Sequence, residues 1–129
     1  GLPYKKCCAP YHKGRVPPSP TALMRSRYAA YALGKAQYII DTTDPQSDLY
    51  ERDLQAWRAS VLKFSRGTRF VGLRILDEGV DESGQTGWVR FYAALRQGGA
   101  DASFTEHSLF RKDPETGRWF YSGAASLSE

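Results

Sequence analysis

The hydrophobic pattern of this chain changes its period at Gly67. Before that glycine, apolar residues recur at helical spacing along one face, in the order Tyr50, Leu54, Trp57, Val61 and Phe64. Beyond it, apolar and other residues alternate, and Val71, Leu73 and Ile75 share one face of the run 69–77. Since helices and strands need different periods, the sequence predicts an α+β fold in which helices come first and pack on one face of a sheet.

Three helices are predicted in the first half of the chain. Ser19 is the expected N-cap of the first helix, with Pro20 at its first position and Gly34 at its end. A short second helix runs from residue 35 to about residue 42. The third helix is capped by Ser47 and continues until the period changes.

Four strands are predicted after the last helix. They cover residues 69–77, 87–97 and 102–112 and a final run that begins at Trp119. Glycine-rich and Asp-Pro turns separate them, and such short connections favour an antiparallel meander. The inward residues of the second strand are expected to be Val89, Phe91, Ala93 and Leu95.

One domain accounts for the whole chain, because 129 residues and 14.5 kDa leave no room for a second sizeable core. No apolar run approaches the roughly 20 residues that a membrane-spanning helix needs. No basic-then-apolar leader follows Gly1. A cytosolic protein without a membrane segment is therefore expected.

Basic residues are concentrated at the amino end. Residues 1–40 hold seven lysines and arginines and no acid, although the net charge of the whole chain is only +4. Such a segment attracts nucleic acid, the ribosome or an acidic protein face, or it forms an ordinary solvated surface. The charge pattern leaves these alternatives open.

The two cysteines of the chain, Cys7 and Cys8, are adjacent. A disulfide between neighbouring residues is strained, so this pair does not indicate a secreted, disulfide-stapled fold. Two thiols beside lysines suit one half of a zinc site, and His12 is the only nearby residue that supplies a third ligand. The alternative is two inert thiols.

A carboxylate lies among the apolar residues of the third strand. If Phe104 and Phe110 point inward, the two-residue period places Glu106 and Ser108 on the same face. A buried carboxylate needs a partner, and the candidates are Arg25, Arg27 and the hydroxyls of Tyr28, Tyr31 and Tyr121.

Two interpretations of Glu106 follow. It forms a structural ion pair that joins helix to sheet, or it acts as an acid or base in a small-molecule cavity, with Arg25 as its charge partner. Trp119 is a further aromatic candidate for the lining of that cavity. The chain has no glycine-rich phosphate loop, no His-Glu-x-x-His helix and no nucleophile elbow.

Four segments together resemble a known family. Residues 1–8, Gly-Leu-Pro-Tyr-Lys-Lys-Cys-Cys, resemble the second half of the SEC-C pattern Cys-x-Cys-Gly-Ser-Gly-x-x-Tyr-x-x-Cys-Cys. Residues 23–31 resemble the most characteristic helix of the YchJ-like proteins, and residues 104–110 and 117–121 resemble their two carboxy-terminal strands. Members of that family are small bacterial proteins in which a SEC-C zinc motif precedes a nuclear-transport-factor-2-like domain.

The resemblance implies a fold and a zinc site. The fold is an α+β cone of the nuclear-transport-factor-2-like (cystatin-like) type, with amino-terminal helices packed on a curved four-stranded antiparallel sheet. Residues 1–18 are then a remnant of the SEC-C motif and an irregular arm, and residues 19–129 form the domain.

Cys7 and Cys8 are implied as zinc ligands whose partners lie in a Cys-x-Cys pair upstream, so zinc is expected in an intact motif and not in these 129 residues. Asp44 departs from the family, whose members often carry histidine before this proline.

Three functions remain as hypotheses. The first is a non-enzymatic cytosolic adaptor whose zinc-linked, basic amino terminus contacts a protein or the ribosome. The second is a small-molecule-binding protein or enzyme that uses the cavity around Glu106. The third is a homodimer contact through the outward residues Trp88, Arg90 and Tyr92 of the sheet.

Overall fold

A computed structural model describes residues 8–125 of the chain. The helices are α1 (Ala9–His12), α2 (Pro20–Leu33), α3 (Ala36–Asp41) and α4 (Leu54–Gly67). The strands are β1 (Arg69–Val80), β2 (Thr86–Gln97), β3 (Ala100–Asp101), β4 (Phe104–Lys112) and β5 (Trp119–Ala124). Helices precede an antiparallel sheet, so the α+β prediction is confirmed. The segment predicted to be an irregular arm, residues 1–18, contains the short helix α1, which has Pro10 in its first turn.

Both ends of α2 lie where the sequence predicts. The Ser19 hydroxyl accepts a hydrogen bond from the Ala22 amide at 3.1 Å, which satisfies one of the free amides of the first turn. Gly34 ends the helix with φ 71°, a left-handed conformation that glycine adopts without steric cost. The next amide, that of Lys35, donates to the Ala30 carbonyl at 2.8 Å and closes the cap.

The predicted start of the third helix, which is α4 in the structure, is wrong. α4 begins at Leu54, and its N-cap is Asp53, which accepts from the Ala56 amide at 3.0 Å. The Ser47 hydroxyl instead accepts from the Leu49 amide at 3.1 Å and donates to the Ser122 carbonyl at 2.9 Å. Serine and aspartate are comparable N-caps, and Ser47 is committed to a turn against β5.

The sheet has the strand order β1-β2-β4-β5, with β3 paired to the end of β2. All of these pairs are antiparallel. The sheet therefore has five strands where four are expected, and the additional strand is the two-residue β3. A parallel bridge between Thr43 and Tyr121 lays the segment after α3 along the free edge of β5.

The prediction that Val71 shares one face of β1 with Leu73 and Ile75 is wrong. Register shifts occur between Phe70 and Gly72 and between Ile75 and Asp77. A bulge inserts one residue on one strand, so the alternation changes face at that point. Val71 is 57% exposed, whereas Phe70, Leu73 and Ile75 pack against the core.

Two apolar clusters form the core. The first lies between α2 and the sheet and contains the predicted inward residues of β2 together with Leu23, Met24, Phe110 and Trp119. The second lies among the helices and contains Ala30, Ala36, Ile39, Ile40, Trp57 and Val61. The helices therefore cover one face of the sheet, as predicted.

The opposite face of the sheet carries the three residues of the dimer hypothesis. Arg90 and Tyr92 are exposed there. The Trp88 ring stacks on the His107 ring, with 4.8 Å between centroids and 15° between planes.

Within residues 8–125, no helix is both long enough and apolar enough to span a membrane.

An ion pair fixes the segment after α3 to the sheet. Arg111 of β4 donates through Nε and Nη2 to the two carboxylate oxygens of Asp44, both at 2.9 Å. These bonds, with those from the Gln46 amide and the Ser122 hydroxyl, lower the pKa of Asp44 below 3.8. Since the folded pKa is the lower one, the pair stabilises the fold above pH 3.8, and this stability is lost as the pH falls through the folded pKa.

Candidate functional site

A cavity of about 460 Å³ lies between α2, α4 and the inner face of the sheet. Its walls are mainly aromatic and include Tyr28, Tyr31, Trp57, Phe64, Phe70, Phe91 and Phe104. Its few polar side chains include Arg27 from α2, Glu106 and Ser108 from β4 and Tyr121 from β5. An apolar cavity in which a few polar groups converge is the usual form of a small-molecule site.

Arg27 is the buried cation of this cavity, and only 5% of its surface is exposed. Its Nη1 donates to the Ile39 carbonyl at 3.0 Å and to the hydroxyls of Thr42 and Thr43 at 2.7 and 3.2 Å. Its guanidinium carbon lies 4.5 Å from the centroid of the Tyr121 ring, a cation–π contact. Burial lowers the pKa of Arg27, because desolvation penalises the charged form.

Glu106 is the carboxylate of the cavity. Its Oε2 accepts hydrogen bonds from the Ser108 hydroxyl at 2.5 Å and from the Tyr121 hydroxyl at 2.9 Å. Burial and the nearby Glu106 carboxylate raise the pKa of Tyr121, so this hydroxyl stays protonated and remains a donor. Both hydroxyls bind the same carboxylate oxygen, and the other oxygen, Oε1, accepts no hydrogen bond from the described residues.

The structure separates the two arginines that the sequence offers as partners of Glu106. Arg25 is exposed and does not line the cavity, so the proposed pairing of Arg25 with Glu106 is not formed. Arg27 lines the cavity, and its charge interacts with that of Glu106. Within residues 8–125 the only ion pair is that of Arg111 with Asp44, so Arg27 and Glu106 are not in direct contact.

The other predicted site residues have different positions. Tyr28 and Tyr31 line the cavity, and the Tyr28 hydroxyl donates to the Gly72 carbonyl at 2.8 Å. Ser108 is fully buried beside Glu106. Trp119 is buried in the first core cluster and is not part of the lining.

The site predicted from the sequence did not include the cavity wall that α4 and the segment before it supply. Glu51, Ser60 and Phe64 line the cavity, and Phe64 is 36% exposed. The sequence places Phe64 in an apolar helical stripe, which ordinarily indicates core. A sign of a different role was the mixed character of that face, because polar Ser60 lies one turn before Phe64.

The described residues do not form a zinc site. Cys7 lies outside the described residues, and Cys8 is 4% exposed at the start of α1. The Nε2 atom of His12 lies 2.7 Å from the Ser26 carbonyl oxygen, and its ring packs edge-on against Tyr38. From residue 8 to residue 125, no three histidine, cysteine, aspartate or glutamate side chains are placed to hold a metal ion. Structural zinc normally takes four protein ligands, so these residues alone do not fit it.

Comparisons with known proteins give the family. Residues 19–124 match the family described as the middle NTF2-like domain of YchJ. The solution structure of a SEC-C motif containing protein from Rhodopseudomonas palustris is 38% identical, with a TM-score of 0.83, over 99% of this chain and 94% of that one. The crystal structure of a SEC-C motif containing protein from Psychrobacter arcticus is 28% identical, with a TM-score of 0.74, over 98% of this chain and 76% of that one. The chain therefore belongs to the YchJ family, and its fold is that of the NTF2-like middle domain.

Proposed function

We propose that this domain binds a small organic molecule in the cavity between α2, α4 and the sheet. The observation that carries the proposal is that Arg27 and Glu106, two opposite charges, face an aromatic cavity of about 460 Å³ without pairing with each other. Arg27 is buried and Glu106 is half-buried. Charges withdrawn from water are costly unless they are paired, so a cavity that keeps these two apart favours a bound polar group.

The chemistry of the cavity supports binding more directly than catalysis. The titratable side chains that line the cavity are Arg27, Glu51, Glu106 and three tyrosines, Tyr28, Tyr31 and Tyr121, and neither histidine of the chain lines it. The Tyr121 hydroxyl is committed to Glu106, and the Ser108 hydroxyl is committed to the same oxygen. These contacts orient the carboxylate, which is what recognition of a ligand requires.

Binding of small probes, with and without a large side chain that blocks the cavity, tests the proposal. We expect at least one of three probes with the same phenylalkyl body, 4-phenylbutanamide, 4-phenylbutanoate and 4-phenylbutylammonium, to bind with a dissociation constant of about 1 mM. Amide chemical shifts in ¹H–¹⁵N spectra should change for residues that line the cavity. Ser60→Trp places an indole at the cavity wall and should weaken this binding at least about tenfold.

The control for this experiment is Ala59→Trp. Ala59 is the neighbouring residue of α4, is exposed and does not line the cavity. The same large side chain should therefore leave probe binding unchanged. If none of the three probes binds, or if Ser60→Trp binds as the unaltered chain does, the proposed function is wrong.

A second candidate function is an adaptor that works in the cytosol through its amino terminus. Both similar structures are described as SEC-C motif containing proteins, which supports a zinc-linked role for Cys7 and Cys8. Lys13 and Arg15 are exposed beside α1, and they extend the basic segment that would meet an acidic protein face or the ribosome.

Zinc content and ribosome binding test the adaptor hypothesis together. In a chain extended upstream to include the Cys-x-Cys pair of the motif, we expect one zinc ion per chain by elemental analysis. This form should co-sediment with purified ribosomes, and replacing Cys7 and Cys8 with serine should abolish both zinc and co-sedimentation. Equal co-sedimentation of the two forms, or its absence from both, would refute the adaptor hypothesis for the ribosome.

A further inference from the structure

We propose that the cavity selects a ligand whose polar end is uncharged and both donates and accepts hydrogen bonds, as a primary amide or a lactam does, on an apolar body. This inference rests on the proposed function and specifies its ligand class. It follows from three features of the cavity. Arg27 has donors and Glu106 has an acceptor without hydrogen bonds to the described residues, their charges are opposite, and the walls are aromatic.

Arg27 presents unused donors to the cavity. All of its hydrogen bonds come from Nη1, so Nε and Nη2 have no acceptor in the described part of the protein. The only fully buried side-chain nitrogen or oxygen without a hydrogen bond in residues 8–125 is Ser65 Oγ. The other nitrogens of Arg27 therefore retain some accessible surface, and we infer that they face the cavity that Arg27 lines. A ligand oxygen there would accept a charge-assisted hydrogen bond.

Glu106 presents an unused acceptor to the same cavity. Both of its hydrogen bonds, from Ser108 and Tyr121, arrive at Oε2. Its Oε1 accepts none from the described residues, although an ionised carboxylate has about four lone-pair directions to fill. A ligand N–H or O–H there would complete the hydrogen bonding of this carboxylate.

The opposite signs of Arg27 and Glu106 decide the charge of the ligand, because Glu51, the other charged residue of the lining, is exposed and solvent screens its charge. A carboxylate ligand would gain from Arg27 but would be repelled by Glu106, and an ammonium ligand would gain from Glu106 but would be repelled by Arg27. Either ion would also lose its own hydration inside aromatic walls. An amide avoids both penalties, because its carbonyl oxygen accepts from Arg27 while its N–H donates to Oε1 of Glu106.

The remainder of the cavity accommodates an apolar body. Phe91 of β2 is the cross-strand partner of Glu106, and Phe64, Phe70 and Phe104 line the same cavity. Phe64 and Phe70 pack edge-to-face with 5.8 Å between centroids, and Phe91 and Phe104 do so with 5.9 Å between theirs. Such a wall favours an aromatic or branched aliphatic body over a polar one.

The order of affinity of the three phenylalkyl probes tests the inference on the unaltered protein. We expect 4-phenylbutanamide to bind at least about tenfold more tightly than 4-phenylbutanoate and 4-phenylbutylammonium, measured by titration in ¹H–¹⁵N spectra at pH 7. If the carboxylate or the ammonium probe binds most tightly, the inference is wrong while cavity binding stands. If no probe binds, the proposed function fails and this inference fails with it.

Glu106→Gln should change that order. The Ser108 and Tyr121 hydroxyls would donate to the glutamine carbonyl oxygen, and its amide nitrogen would then face the cavity as a donor beside Arg27. We expect the carboxylate probe to become the tightest ligand, because both protein groups would then donate. Glu82→Gln, an equal loss of charge on the exposed β1–β2 turn, should leave the order unchanged. An unchanged order in Glu106→Gln would overturn the inference, and the order on the unaltered protein remains decisive if this variant does not fold.

Discussion

Replacing Arg27 with methionine is expected to lower the free energy of unfolding by about 3 kcal/mol. The guanidinium bonds the Ile39 carbonyl at the end of α3 and the Thr42 and Thr43 hydroxyls that follow it, and it lies over the Tyr121 ring of β5. Methionine retains the approximate length of the side chain but makes none of these hydrogen bonds. The substitution also leaves the Glu106 carboxylate without the positive charge that partly balances it.

Arg25→Met is the matched control for this prediction. Arg25 lies two residues earlier on the same helix and is exposed, so its loss should change stability by less than about 0.5 kcal/mol. Arg27→Lys should fall between the two variants, because an ammonium keeps the charge but lacks the planar fork of a guanidinium. Urea denaturation followed by circular dichroism measures all three. Equal losses for Arg27→Met and Arg25→Met would contradict a structural role for Arg27.

The fold was predictable from the sequence where two independent patterns coincide. At α2, an N-cap serine and a first-position proline define one end and a glycine defines the other, and the structure uses all three. At α4, the helical stripe was correct but its start was not, because Ser47 and Asp53 are both good caps. Only the contact of Ser47 with the Ser122 carbonyl, 75 residues away, separates the two, and no local pattern contains that information.

The bulges of β1 show a similar limit. Strict alternation placed Val71 on the same face as Leu73 and Ile75, but the register shift after Phe70 changes the face, and Val71 is 57% exposed. A bulge is set by how one strand meets its neighbour, so it depends on the pairing of β1 with β2 rather than on the sequence of β1 alone.

The candidate site was predictable in part. The two-residue period brought Glu106 and Ser108 to the inner face of β4, where both now line the cavity. The choice between Arg25 and Arg27 was left open, although the two differ by about 200° around a helix. Arg27 lies three residues after Met24 and four before Tyr31, so it belongs to the inward stripe of α2, and Arg25 does not. That phase was available in the sequence, whereas the distance between Arg27 and Glu106 was not.

Phe110→Ala should lower the free energy of unfolding by about 3–5 kcal/mol, while Phe104→Ala should lower it by only about 1 kcal/mol. Both phenylalanines belong to the inward set of β4, and alternation alone treats them as equivalent. Phe110 is 2% exposed in the first core cluster, whereas Phe104 is 41% exposed and lines the cavity. Removing the Phe110 ring leaves a closed void, and removing the Phe104 ring leaves space that solvent reaches.

The same pair separates stability from binding. Phe104→Ala removes one aromatic wall of the cavity, so it should weaken binding of the tightest phenylalkyl probe by about tenfold while the domain remains folded. Phe110→Leu, which keeps most of the buried volume, should remain folded and bind that probe as the unaltered chain does, because Phe110 does not line the cavity. Urea denaturation and probe titration of these variants measure the two effects separately. If Phe104→Ala were as destabilising as Phe110→Ala, or bound the probe unchanged, Phe104 would be a core residue rather than part of a binding site. The inner face of β4 therefore has two environments, because Phe110 lies in the closed core and Phe104 borders the cavity of the proposed binding site.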